Sequence, residues 1–213
     1  PMNARYRRCL LPLLLVAMSA VCARAQQTEY ELRDGNWVRV AEPGGGTAPG
    51  ELSLIRDYVE QERGWRAVRA ADDFLEDYPD DPAREEVLLL AARGQMIRER
   101  YFQAYEYLER LLTEFPNGQY VERALQFEYE IAEKFLAGEK RVVWGIFFLP
   151  AEEDGVEILR RIAEHAPGAT VAEKALLRVG DYYFDEQEWA DAVAAYDHFL
   201  ELFSRSAKAR YAR

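Results

Sequence analysis

Four stretches of the chain repeat one arrangement of apolar and polar residues at helical spacing, and each ends at a proline or its replacement. A small residue, Ala67, Ala104, Gly155 or Ala192, stands twelve places before Pro79, Pro116, Pro167 and Ser204. Large apolar residues such as Phe74, Leu108, Leu111, Ile162, Tyr196 and Phe199 recur between them on one helical face. A preceding helix repeats too, because Leu88, Leu125 and Leu176 each lie nine residues after the proline that closed the unit before. The second and fourth units align without gaps, Ala92 with Gly180, Tyr101 with Trp189 and Ala104 with Ala192. Each unit therefore reads as a helix, a turn at an aromatic residue, a second helix and a stop. Small residues let two antiparallel helices approach, large ones fill the space to the next unit, and proline prevents the second helix from continuing. The closing residues are spaced by 37, 51 and 37 positions. The middle interval exceeds the others by fourteen, which predicts an insertion in the third unit.

The chain before the repeats has a different pattern. Tyr30 to Arg33 and Trp37 to Val40 alternate at period two around Asp34-Gly35, which predicts a short β-hairpin leaning on the helical body. The segment from Pro43 to Gly50 reads as a linker, and since no Gly-Lys-Ser/Thr follows its glycines it is not a phosphate loop. At the start, Arg5, Arg7 and Arg8 precede an apolar run from Cys9 to Val21, followed by Ala23 and Ala25 at the positions a signal peptidase reads. That is the pattern of an export signal, too short for the roughly 20 residues of a membrane-spanning helix. Two outcomes stay open: lipid attachment at Cys22, or cleavage after Ala25, which removes both cysteines and takes the net charge from −11 to −15 by deleting four arginines.

Composition narrows the function. The chain has 213 residues with 38 Asp and Glu against 27 Lys and Arg, and carboxylates run throughout, which argues against a nucleic-acid surface. The two histidines, His165 and His198, have no nucleophile or second ligand at motif spacing, so no catalytic residue, metal site or cofactor is expected. The acidic clusters read as solvated helix starts. The expectation is a binding protein and not an enzyme.

The repeat resembles the tetratricopeptide repeat, whose small eighth and twentieth residues and thirty-second proline correspond here to Gly180, Ala192 and, by replacement, Ser204. That resemblance implies an all-α fold, a right-handed superhelical α-solenoid of helical hairpins. It divides the chain into a signal peptide (1–25), a hairpin and linker (26–50), and repeats over 51–79, 80–116, 117–167 and 168–204, with a further helix beginning before 213. Units of about 37 residues ending in Tyr78-Pro79 or Phe115-Pro116, the export signal and the longer third unit are together similar to the BamD (YfiO) family of outer-membrane assembly lipoproteins. Membership would imply a non-enzymatic scaffold in the periplasm, held at the inner face of the outer membrane by a lipid anchor or a partner. It would bind unfolded outer-membrane protein segments and assembly partners. The alternative is a periplasmic tetratricopeptide adaptor of cell-wall synthesis or division.

In such a solenoid the first helices line a concave groove. Counting along the repeat, the groove residues are Glu86, Leu89, Arg93 and Met96, then Arg123, Gln126, Glu130 and Glu133, then Lys174, Leu177, Asp181 and Phe184. The insertion follows Lys140 and Arg141 with a run of large apolar residues that includes Trp144, Phe147 and Phe148. It reads either as a partner surface or as a longer first helix and loop tucked against the repeats.

Overall fold

The computed structural model describes residues 30–33, 36–39, 46–143 and 147–213. The chain divides into two compact units, residues 1–40 and 41–213. In the first, β1 (Tyr30–Arg33) and β2 (Asn36–Arg39) pair antiparallel with Tyr30 opposite Arg39. The signal segment, Cys22, the turn at 34–35 and Trp144 lie outside the described residues.

The second unit holds four helical hairpins: α1 (Ala48–Glu60) with α2 (Gly64–Asp77), α3 (Arg84–Ile97) with α4 (Tyr101–Glu114), α5 (Val121–Leu136) with α6 (Glu152–His165), and α7 (Thr170–Asp185) with α8 (Trp189–Phe203). Each helix packs on the next along the chain, and α1 also packs on α3 and α5 on α7. The fold is a tetratricopeptide-like α-solenoid. Two boundaries differ from the sequence reading. The supposed linker ends early, because Thr47 adopts an extended conformation and caps α1 by accepting from the Gly50 N–H, with Pro49 in the first turn, where its missing N–H costs nothing. At the other end, where a helix was expected to start, a 3-10 turn spans Ala207–Arg210 and buries Ala209.

The small residues sit where the helices cross. Ala92, Ala104 and Ala192 are buried, and a Cβ on Gly180 would overlap the Tyr196 ring, so this crossing needs glycine. One apolar core runs from Ile55 to Ala195 through Phe74, Leu108, Leu111, Phe135 and Ile162, and a smaller one around Ala163, Ala172, Leu176 and Phe199 joins α6 to the last hairpin. Polar pairs tie equivalent helices of successive hairpins. Arg56 of α1 donates to both Glu86 oxygens of α3 at 2.6 and 2.7 Å, and Arg178 of α7 donates to Glu133 of α5 at 3.0 Å. Tyr107 of α4 donates to Asp72 of α2 at 2.5 Å. Buried Glu85 of α3 accepts from the Tyr120 N–H at the entry to α5, and a Cβ on Gly118 would overlap its carboxylate.

The hairpin turns share a signature the sequence reading did not include. Glu62, Glu99 and Gln187 adopt a left-handed backbone, at φ of 54°, 56° and 64°, and each lies seventeen residues before its unit's closing Pro79, Pro116 or Ser204. The residue after each donates back into the helix just ended: Arg63 to Tyr58, Arg100 to Gln95 and Glu188 to Tyr183, the helix-closing pattern that favours glycine. The third hairpin makes the same turn at Gly138, with φ of 93° and Glu139 donating to Lys134, but Gly138 lies 29 residues before Pro167. Twelve of the fourteen extra residues thus follow a normal turn, and the other two lengthen α5.

The insertion itself is a β-hairpin, not a loop. Strand β3 (Arg141–Val143) pairs antiparallel with β4 (Phe147–Leu149), with Val142 opposite Phe148. Val142 is buried and its carbonyl accepts from the Gln103 side chain of α4 at 3.2 Å. The Arg141 guanidinium stacks 3.4 Å from the Phe102 ring centroid and reaches Asp154 of α6 at 3.5 Å. The base of the hairpin is therefore clamped between α4 and α6, while Phe147, Phe148 and Leu149 are exposed, Phe148 by 61%.

Candidate functional site

The first helices of the second, third and fourth hairpins enclose a cleft of about 600 Å³. Its walls are Arg93, Met96 and Ile97 of α3 and Tyr129, Glu130, Glu133 and Lys134 of α5, with Lys174 of α7 at one end and Glu62 at the other. It opens between α3 and α5, which make less direct contact than α1 with α3 or α5 with α7. The Phe127 ring belongs to α5. It is buried beside this gap, with Arg93 over it from α3 at 5.7 Å and Arg123 from α5 at 4.4 Å. The cation–ring attraction is worth about 0.5–1 kcal/mol for each arginine at such exposure. Lys174 lies similarly over Tyr129 at 4.0 Å, and Lys134 over Tyr101 at 5.9 Å.

Of the residues assigned to the groove from sequence, Arg93, Met96, Glu130, Glu133 and Lys174 line this cleft together. Arg123 and Gln126 are exposed beside it and bonded to each other at 3.1 Å. Glu86 is held by Arg56, and that partner keeps its carboxyl below the ordinary value despite partial burial. Asp181 accepts from Tyr196 at 2.7 Å, which ties it to α8. Leu177 packs against the small core of the last hairpin, and Phe184 is exposed, edge-on to Trp189 at 5.3 Å between ring centroids. Leu89 corrects the reading: it is only 9% exposed and belongs to the main core, because α1 covers the face of α3 that was counted as outward. In the insertion, Lys140, Phe147 and Phe148 are exposed and Arg141 is half-buried in the clamp described above.

A second polar cluster had no sequence signal. Glu109 of α4 accepts from Arg161 of α6 at 3.1 and 2.5 Å and lies 3.1 Å from His165 Nε2. Burial works to raise the Glu109 carboxyl, but the Arg161 and His165 hydrogen bonds outweigh it and hold the group below its ordinary value. His165 thus helps join two hairpins. His198 is exposed on α8. Among the described residues no group of His, Cys, Asp and Glu side chains is placed to hold a metal ion, and no helix is long and apolar enough to cross a membrane.

Residues 174–206, covering most of α7 and all of α8, match the tetratricopeptide repeat family. No curated protein matches the chain. Among solved structures it is similar to the nearly identical TPR-like repeats of a kinesin light chain from Podosopora anserina, at 14% identity over 75% of this chain and 76% of that one, with a TM-score of 0.40. A superposition that loose equates no residue of one chain with a residue of the other. The repeat match and the hairpin stack together define the class, a tetratricopeptide-type scaffold for protein–protein interaction.

Proposed function

We propose that this chain is a non-enzymatic scaffold of the BamD kind, exported to the periplasm and associated with the outer membrane, that receives extended segments of unfolded outer-membrane proteins. The observation that carries this reading is the cleft between α3 and α5, lined by residues of all four hairpins and open to an extended chain. A mixed-charge lining of Arg93, Lys134 and Lys174 with Glu62 and Glu130 suits a polypeptide whose sequence varies, because backbone and side-chain groups of either polarity find a partner. The insertion supports the same reading. The Phe147, Phe148 and Leu149 side chains of β4 are exposed, an apolar strip of the kind that meets an extended apolar segment.

The test is binding of fluorescent peptides copied from outer-membrane β-strands to the full chain, combined with co-purification from its native cells. The expected result is saturable binding weakened at least tenfold by the double substitution R93A/K174A, with β-barrel assembly components recovered alongside. Recovery of cell-wall synthesis or division proteins, with no strand-peptide binding, would overturn the assignment in favour of a periplasmic adaptor.

A further inference from the structure

Three charged or amide side chains are buried among the described residues. Glu85 accepts from the Tyr120 N–H and Gln95 from Arg98, so both are satisfied. Glu128, on α5, is wholly enclosed, with 0% exposure, and neither of its oxygens meets a donor. The donors that reach this place are committed elsewhere. Arg161 spends its Nε and Nη2 groups on Glu109, and His165 Nε2 lies against the same carboxylate. Tyr105 of α4 also faces Glu109. The titratable and charged groups near Glu128 are Tyr105 and Glu109 from α4 and Arg161 from α6, with His165 against Glu109, and none of them donates to Glu128.

An ionised Glu128 would be a buried anion with no donor, next to a second anion that holds Arg161 Nε and Nη2, an unfavourable way to enclose a carboxylate. A protonated Glu128 removes the conflict, because a neutral carboxyl is itself a donor and the Glu109 carboxylate is the acceptor it faces. We propose that Glu128 carries a proton in the folded protein and shares it with Glu109, making the junction of α4, α5 and α6 a proton-dependent joint between the second and third hairpins. Burial first, and the Glu109 charge second, push the Glu128 carboxyl well above the ordinary value of 4.5, against a smaller opposing pull from Arg161.

The sign of the pH effect follows. The folded chain keeps this proton to higher pH than the unfolded chain does, so the contribution is complete below about pH 4.5. It declines as pH rises and is gone once pH passes the folded-state value. The joint is tight in acid and loosens toward alkali, opposite to the usual behaviour of a salt-bridged carboxylate. Neither the groove nor its ligand enters this argument, so it stands or falls apart from the proposed function.

The experiment compares thermal unfolding of the full chain and its Glu128→Gln variant from pH 5 to pH 9. Glutamine keeps the shape and a donor for Glu109 but has no proton to lose. The expected result is similar melting at pH 5 and a folding constant that falls, relative to the variant, about tenfold per pH unit until the folded-state value is reached. Parallel curves for the two proteins over the whole range would overturn the proposal. Should the variant not fold, infrared spectroscopy of the unaltered chain labelled with carboxyl-¹³C glutamate decides at pH 7. A protonated-carboxyl band equivalent to one residue supports the joint, and its absence rejects it.

Discussion

The third and fourth hairpins are made from the same parts and joined differently. In the fourth, the chain passes from left-handed Gln187 to the start of α8 at Trp189 without excursion. In the third it makes the same turn at Gly138, then runs through β3 and β4 before α6 begins at Glu152. The helix pairs still pack alike, on small Gly155 in one and small Ala192 in the other. The comparison separates two things a repeat usually combines. Closing the first helix is done by the turn, whereas aligning the second is done by side-chain packing, so a structure can be placed between them without shifting the register of the array.

The largest test of this separation is in the cores. Phe135→Ala, in the core that runs through all four hairpins, is expected to cost about 3–5 kcal/mol and to lower the urea midpoint of the whole array. Phe199→Ala removes the same chemistry from the small core of the last hairpin. Its expected effect is loss of amide protection confined to α7, α8 and the 3-10 turn, read by hydrogen exchange. Equal loss of protection everywhere in both variants would show that the two regions unfold as one.

A smaller effect with opposite signs is expected at the turns. Gly138→Ala places a Cβ on a left-handed residue and should cost roughly 1–2 kcal/mol. Gln187→Gly removes that same strain at some entropic cost, for a net gain of about 0.5–1 kcal/mol. Urea denaturation of the two variants side by side checks the pair, and a shared sign would mean that the turns are not equivalent. The smallest effect on stability is expected at the tip of the insertion. Phe148→Ser should change stability by no more than about 0.5 kcal/mol, because the ring is largely in solvent, while reducing strand-peptide binding several-fold in the same fluorescence assay. Marked unfolding there would place the ring in the core instead.

The solenoid was legible because its determinants are local and periodic. A proline stop, a small residue twelve places earlier and a leucine nine places later mark each unit, and the structure places Leu88, Leu108, Leu125 and Leu176 in cores accordingly. Phase also gave the outward positions of the first helices, of which Arg93, Met96, Glu130, Glu133 and Lys174 line one cleft. Leu89 departed from phase because contact between α1 and α3 covers a stripe that the repeat alone leaves open. The β-hairpin in the insertion could be recognised as unusual but not by shape, since its clamp needs Phe102, Gln103 and Asp154 from two different helices. The Glu109–Arg161 pair spans 52 positions. Phase counted Glu130 as outward, but only the fold shows that Glu128, two residues earlier, is wholly enclosed and meets no donor.

The Glu85 carboxylate has a consequence for assembly order. It belongs to α3, yet it satisfies the backbone at the head of α5, over a glycine that leaves room for it. The third hairpin therefore begins on a fixture supplied by the second, and not the reverse. A chain emerging from the ribosome in its natural direction meets this fixture before the segment that needs it, so translation and stable growth of the array proceed the same way. A circular permutant that places α5 ahead of α3 would have to wait for the end of synthesis to secure its first turn.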